Sequence, residues 1–273
     1  MLTGWTGSLS TPSMLRVDWP IDQVSALFTF RTGGVSATPF DTLNLGFHVP
    51  DDPRSVEQNR RICATFVGGE LEDFVLPEQV HGNGVAVVGP GERGRGSTLD
   101  SSPIESVDAV VTNHPGLTLA VLSADCIPIL FFDPEEKVIA AAHSGWKGTV
   151  QHIARNVIDT MRREYGSRPS NVNVWLGPSI RRCCYEVDDR VAAPVQQEFG
   201  RKPLIPRHHK DGKFLLSLQS CVRMDLEAVG VERDRIHDVG VCTSCRKNSL
   251  FSHRAEQGRT GRFMGLVRLQ EGK

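Results

Sequence analysis

The stretch "CIPILFFDPEEKVIAAAH", Cys126 to His143, decides the fold class. "IPILFF" and "VIAAA" are continuous apolar runs, and "DPEEK" between them is rich in Asp, Pro and charge, which is the pattern of a β-hairpin. With Phe132 paired to Lys137 across a four-residue loop, Cys126 falls opposite His143, both side chains on one face of the ribbon. Just upstream, Asp125 adjoins Cys126 at the mouth of the apolar run "LSADCIPILFF". A buried carboxylate is costly unless it is paired or hydrogen-bonded. The acid and the thiol therefore need partners.

Working outward, "SGWKGTV" follows His143 and leads into "QHIARNVIDTMRREYG". There Val150, Ile153, Ala154, Val157, Ile158 and Met161 recur at helical spacing. A strand, a glycine turn and a helix start in direct succession offer free backbone N–H groups and a positive dipole end, suited to an anion. "VDAVVTN" and "LTLAVLS" before the hairpin, and "NVNVWLG" and "FMGLVRL" after it, read as strands. Nearer the N-terminus, "VSALFTFRTGG" reads as a strand with Arg31 at its exit. "DDPRSVEQNRRICATFVGG" reads as a helix with Asp52 as N-cap, Pro53 in the first turn and Gly68 past its end. "GVAVVGPGERGRGSTLD" is a short strand running into a glycine-rich loop. No repeat or linker interrupts this order. The expectation is an α/β fold: a single domain, residues 1–273, of mixed β-sheets flanked by helices, with 1–24 as a peripheral N-terminal segment.

The chain has 273 residues, 39% hydrophobic and 23% charged, with a formal net charge of -1. That balance argues against a broad basic surface for nucleic acid. The longest apolar run, Leu117 to Phe132, is broken by Ser123, Asp125 and Pro128, which argues against a membrane span. "MLTGWTGSLS" lacks the features of a secretory signal. Seven scattered cysteines then read as thiols or metal ligands rather than a disulfide framework, and a cytoplasmic location is expected.

A thiol opposite an imidazole is either a metal pair or a Cys–His catalytic pair. A third donor would decide for metal. His81, in "LPEQVHGNG", sits at a strand start beside glycine, where it either faces a cleft or is a solvent-exposed loop histidine. A separate zinc spacing occurs at Cys242-x-x-Cys245, which with Cys183 and Cys184 would supply four thiolates. Against it, adjacent residues of a strand point to opposite faces.

"QVHG", "VDAVVT", "SADCIP", "AAHSGWKG", "GPSIRRCCYEV" and "FSHRAEQGRTGR", together with "FRTGGVSATPFDTLNLG", form one pattern from about Phe28 to Leu269. It resembles the family long called polyphenol oxidases or laccase-domain proteins, now regarded as zinc-dependent purine nucleoside phosphorylases. The resemblance implies a cysteine-hydrolase-like fold and zinc on His81, Cys126 and His143, the same three residues being catalytic. It further implies phosphorolysis of adenosine, inosine or guanosine to base and ribose 1-phosphate, with adenosine deamination and methylthioadenosine cleavage as accompanying activities. Purine nucleosides and phosphate are the partners so implied. Arg31 and Asn44 match substrate-pocket positions, and a guanidinium fork suits a phosphate. Asp125 is expected to fix a ligand or nearby backbone groups, or simply to accept N–H bonds at a strand end. Lys147 stands where the family commonly has Arg, which removes the fork. His253 replaces the usual Tyr.

Two rival functions stay open. The first is a metal-free hydrolase using Cys126 and His143. The second, copper-dependent polyphenol oxidation, fits poorly, because the nine histidines include no His-x-His pair for a copper cluster. Cu2+ in the zinc site would be adventitious, since affinity alone favours copper. The zinc deaminase signature His-x-Glu followed by Pro-Cys-x-x-Cys is absent from the chain.

Overall fold

In chain order, the first half runs β1 (Met14–Val17), β2 (Val24–Thr29), α1 (Pro53–Phe66), β3 (Phe74–Val75), β4 (Val85–Val87), β5 (Ala109–Thr112) and β6 (Thr118–Ser123). The central hairpin β7 (Ile127–Asp133) and β8 (Val138–Ser144) leads into helices α2 (Trp146–Val150) and α3 (Ile153–Tyr165). Then come β9 (Asn173–Leu176), β10 (Glu186–Asp188), α4 (Asp189–Phe199), β11 (Leu204–Pro206), β12 (Lys213–Leu216), α5 (Leu218–Ala228), β13 (Ile236–Asp238) and β14 (Phe263–Leu269). This computed structural model describes residues 14–17, 23–207 and 212–271. Of the N-terminal segment expected at the periphery, 14–17 form a sheet edge and the rest, apart from 23 and 24, lies outside the described residues.

Two mixed sheets carry the fold. One has the order β1-β2-β14-β6-β3 and the other β13-β9-β7-β8-β5-β4; a small third sheet is β10-β12-β11. The two large sheets pack face to face. Phe28, Val121, Phe263 and Val267 of the first meet Leu130, Phe132, Ile139, Ala141 and Trp175 of the second. Helix α1 covers the outer face of the first sheet through Cys63 and Ala64. Helices α3 and α5 cover the outer face of the second, with Val157, Ile158, Met161, Val222 and Leu226 against Ile129, Phe131 and Ala140. Both strands of the central hairpin are thus buried on both sides, which is why they read as unbroken apolar runs. Among the described residues no helix is long and apolar enough to cross a membrane.

The register of the hairpin corrects the expectation. Asp133 pairs with Val138 and Pro128 with His143, so the loop is Pro134–Lys137 and Cys126 lies just outside the strand. Asp133 Oδ1 accepts the N–H groups of Glu135 and Glu136 at 3.0 and 3.4 Å, and Lys137 turns the chain with φ 54. A carboxylate closing its own turn thus draws Asp133 into the ladder and leaves Lys137 in the loop. The helix after His143 is also not continuous. α2 ends at Val150, and His152, with φ 62, interrupts the path before α3. α3 buries the stripe read from the sequence from Ile153 to Met161, Val150 falling in α2, and stops at Gly166, whose φ of 77 suits a residue without Cβ.

Candidate metal centre

At one end of the interface between the large sheets, a cleft of about 580 Å³ opens where β6 ends, β7 begins and β8 ends. His81, Cys126 and His143 line it together, and their donor atoms lie within 4.8 Å of one another. The register shift did not separate Cys126 from His143. Cys126 remains two residues from Pro128, on the same face, and both imidazoles hydrogen-bond its sulfur.

Asp108, immediately before β5, organises this cluster. It is fully buried, and its Oδ1 bonds His143 Nδ1 at 2.8 Å. Its carboxylate also accepts the backbone N–H of His81 at 3.0 Å and of Gly82 at 2.7 Å, while its carbonyl accepts the N–H of His143. One acid therefore sets both histidines. With Nδ1 engaged, His143 turns Nε2 toward Cys126, the arrangement of a carboxylate–histidine–metal relay. His81 itself has φ 61, and the flanking loop is held by Gln79, whose side-chain amide pairs with both backbone groups of Leu122 at 2.8 Å. Gly145 leaves the needed space: a Cβ there would come within 3.0 Å of Cys126 Sγ and 3.2 Å of His81 Cδ2.

The electrostatics follow from the packing. Burial opposes ionisation of Cys126, yet the adjoining His143 and His81 outweigh it and bring the thiol down to about 6. Burial likewise opposes protonation of His143, but the Cys126 sulfur and the Asp108 carboxylate raise it to about 9. Each group of the pair thus favours the charged form of the other. His48, across the cleft, is driven down to about 4 by burial and by Arg262 and Arg60, so it is neutral at physiological pH.

Asp125 has φ 98, an uncommon conformation for a residue with a Cβ. Its Oδ1 accepts the hydroxyls of Thr243 at 2.5 Å and Ser252 at 2.7 Å, and its Oδ2 accepts the N–H of Arg254 at 2.6 Å. The acid that looked anomalous in the sequence thus ties together the loops forming one wall. Arg254 spreads over Tyr185, with its guanidinium carbon 5.3 Å from the ring centre. Arg262 also lines the cleft and donates from Nη1 to the carbonyls of Thr260 and Gly261.

Neither Arg31 nor Asn44 is among the side chains that line the cleft. Arg31 is spent on the Asp41 carbonyl and carboxylate, the Lys247 carbonyl and Glu256, and stacks on Phe251. Asn44 is fully buried and bonds Asp51, Gly46 and the N–H of Arg262. Both brace loops that carry cleft residues, because the fold supplies each with backbone and acidic partners before any ligand arrives. Lys147 is exposed and lies 5.9 Å from the Trp146 ring centre. Asp108, His48, Tyr185 and Arg262 were absent from the sequence-based set. For Asp108 the signal was present: an acid at the mouth of the apolar "VDAVVT" repeats the anomaly at Asp125.

The objection to a four-cysteine cluster also fails. Cys183 and Cys184 occupy a turn rather than a strand, and their sulfurs, with those of Cys242 and Cys245, lie within 4.8 Å of one another.

Comparison with known proteins agrees with this fold along its length. The chain is 36% identical to purine nucleoside phosphorylase YlmD of Bacillus subtilis (strain 168), covering 97% of each. It is 33% identical to adenosine deaminase RL5 from an unknown prokaryotic organism, over 91% of this chain and 95% of that one. The crystal structure of YlmD from Geobacillus stearothermophilus superposes with a TM-score of 0.91 at 34% identity, covering 98% of this chain and 99% of that one. A family model described as multi-copper polyphenol oxidoreductase laccase matches residues 25–270. The chain belongs to that family.

Proposed function

We propose that this chain is a cytoplasmic, zinc-dependent purine nucleoside phosphorylase acting on adenosine, inosine or guanosine. The observation that carries the reading is the convergence of His81, Cys126 and His143 on one point of the cleft wall, with Asp108 fixing His143 from behind. Two nitrogens and one sulfur leave a tetrahedral ion one open position, the donor count of a catalytic rather than a structural zinc. Tetrahedral donors at usual zinc distances stand roughly 3.3–3.8 Å apart, so donors already within 4.8 Å need only a small closure. Bound there, zinc supplies a Lewis acid facing the cleft.

The remaining work falls to the cleft walls. Arg254 and Arg262 present positive charge for phosphate, and Tyr185, Ile180, Leu122 and Leu218 offer apolar surface for a purine ring. In the reaction a phosphate oxygen bonds to C1′ of the ribose while the C1′–N9 bond breaks, and the purine leaves with the electron pair and takes up a proton. Neutral His48 faces that space as a hydrogen-bonding group. The name of the deaminase relative supports adenosine deamination as a second outcome in the same cleft.

One specific observation favours a rival. Cys126, His143 and Asp108 also line up as a thiolate, a base and an orienting acid, the order of a cysteine hydrolase. Copper oxidase chemistry lacks its cluster: among the described residues, only this trio and the four cysteines group three or more metal-binding side chains.

The test is metal analysis joined to an inosine assay with and without phosphate. Free base and ribose 1-phosphate should form only with phosphate, and Cys126→Ala should lower kcat/KM at least a hundredfold. Full turnover by a zinc-stripped preparation, independent of phosphate, would establish the hydrolase instead.

A further inference from the structure

The four cysteines lie outside the cleft and take no part in the chemistry above. Cys183 and Cys184 belong to the loop between β9 and β10, Cys242 and Cys245 to the loop after β13. Cys245 Sγ stands 3.6 Å from Cys183 Sγ and 3.4 Å from Cys184 Sγ, and all four sulfurs fit within 4.8 Å. A disulfide would join two sulfurs at about 2.0 Å and leave the others out. A tetrahedral zinc asks instead for four sulfurs roughly 3.8 Å apart, each about 2.3 Å from the ion. The observed spacing matches the second arrangement. Backbone N–H groups of Arg181 and Cys245 already point at Cys242 Sγ, the support that metal-bound thiolates receive. Arg181, paired with Asp238, also lies within electrostatic reach of Cys183 and Cys242.

We propose that Cys183, Cys184, Cys242 and Cys245 form a second, structural metal site that binds one divalent ion, zinc above all, through four thiolates. Binding releases the thiol protons to solvent and changes no oxidation state. The site fastens the loop that carries Tyr185 of the cleft to the loop after β13. Cys242 already bridges to Ser179, and the N–H of Thr243 donates to the Ser179 carbonyl at 3.2 Å. Thr243 sits between the two ligands of its loop and bonds Asp125, next to Cys126, while Tyr185 follows Cys184 directly. The ion thereby braces Asp125 and Tyr185 without touching substrate.

The proposal does not depend on the reading of the cleft, and its test separates the two. Untagged protein carrying His81→Ala, Cys126→Ala and His143→Ala has no cleft site. With zinc alone it should still bind one equivalent, and X-ray absorption should find four sulfurs at about 2.3 Å. Adding Cys242→Ser and Cys245→Ser should abolish that equivalent. The unmutated protein gives an independent answer should the variants not fold. Two equivalents with an average of about 2.5 sulfurs per ion support the site. A single equivalent with one sulfur overturns it, as does a metal-free protein whose intact mass reveals these cysteines joined as disulfides.

Discussion

Replacing Asp108 by Asn tests the centre of the site with almost no change of shape. The carboxylate accepts three hydrogen bonds from groups that only donate, or in the case of His143 must donate: the N–H of His81, the N–H of Gly82, and His143 Nδ1. An amide cannot satisfy all three. With its NH2 toward Gly82, two donors face each other across 2.7 Å beside a side chain that is itself fully buried. Turned over, its NH2 faces His143 Nδ1, which must then accept, and the imidazole proton moves to Nε2, the nitrogen a metal needs. The first orientation leaves a buried donor unpaired at about 1–3 kcal/mol. The second removes a ligand.

Loss of the carboxylate behind a metal-bound histidine typically costs 10–100-fold in affinity, about 1.4–2.7 kcal/mol. We therefore expect Asp108→Asn to bind zinc 10–100-fold more weakly in competition with a chromophoric chelator. Activity should recover in part at saturating zinc. Denaturant titration of the zinc-free protein should show a loss of about 1–3 kcal/mol. Zinc affinity within threefold of the parent, with His143 still protonated on Nδ1 by NMR, would refute the claim that Asp108 sets the ligand.

Three further expectations follow from the same geometry. Gly145→Ala places a Cβ 3.0 Å from Cys126 Sγ at a backbone angle that alanine tolerates, so zinc affinity should fall at least tenfold with little change in the thermal midpoint of the zinc-free protein; an unchanged affinity would mean the donors do not close as described. Arg31→Ala removes the charged partner of a mostly buried Glu256, leaving it only the Ser252 N–H and Thr260 hydroxyl, and should destabilise the fold by about 3 kcal/mol, measured by urea unfolding, whereas normal stability with a raised phosphate KM would return Arg31 to the substrate. In zinc-free protein, thiolate absorbance should grow in through pH about 6 and shift toward the ordinary thiol value in His143→Ala; a wild-type midpoint near 9.0 would remove the ion pair. The signs oppose each other. The stabilisation from Cys126 is complete above 9.0 and lost as pH falls through about 6, while that from His143 is complete below 6.5 and lost as pH rises through about 9, the two belonging to one coupled pair.

What the sequence could disclose was governed by how far each partner lies along the chain. The hairpin, α1 and α3 were legible because strand run, turn, cap and apolar stripe are local patterns. The register missed by one residue on each strand, since nothing in "DPEEK" says that Asp133 will accept its own turn's N–H groups while Lys137 adopts a left-handed angle. Even so, the period of two along a strand kept Cys126 on the face of His143, so the pair survived the error. Asp108 was hidden because β5 reaches β8 only through sheet pairing, 35 residues away in sequence. Arg31 shows the converse. At a strand exit it looks like a free anion receptor, yet its strongest partner, Glu256, comes from 225 residues downstream. An isolated charge in a sequence is therefore a poor guide to a binding group, because the fold allots its partners from afar. A charge or thiol in a place that burial makes costly is a better one. Asp125, Cys126 and Asp108 each break an apolar strand at its mouth, and all three converge on the same end of the sheet interface, Cys126 as a donor and the two acids as the groups that hold the site around it.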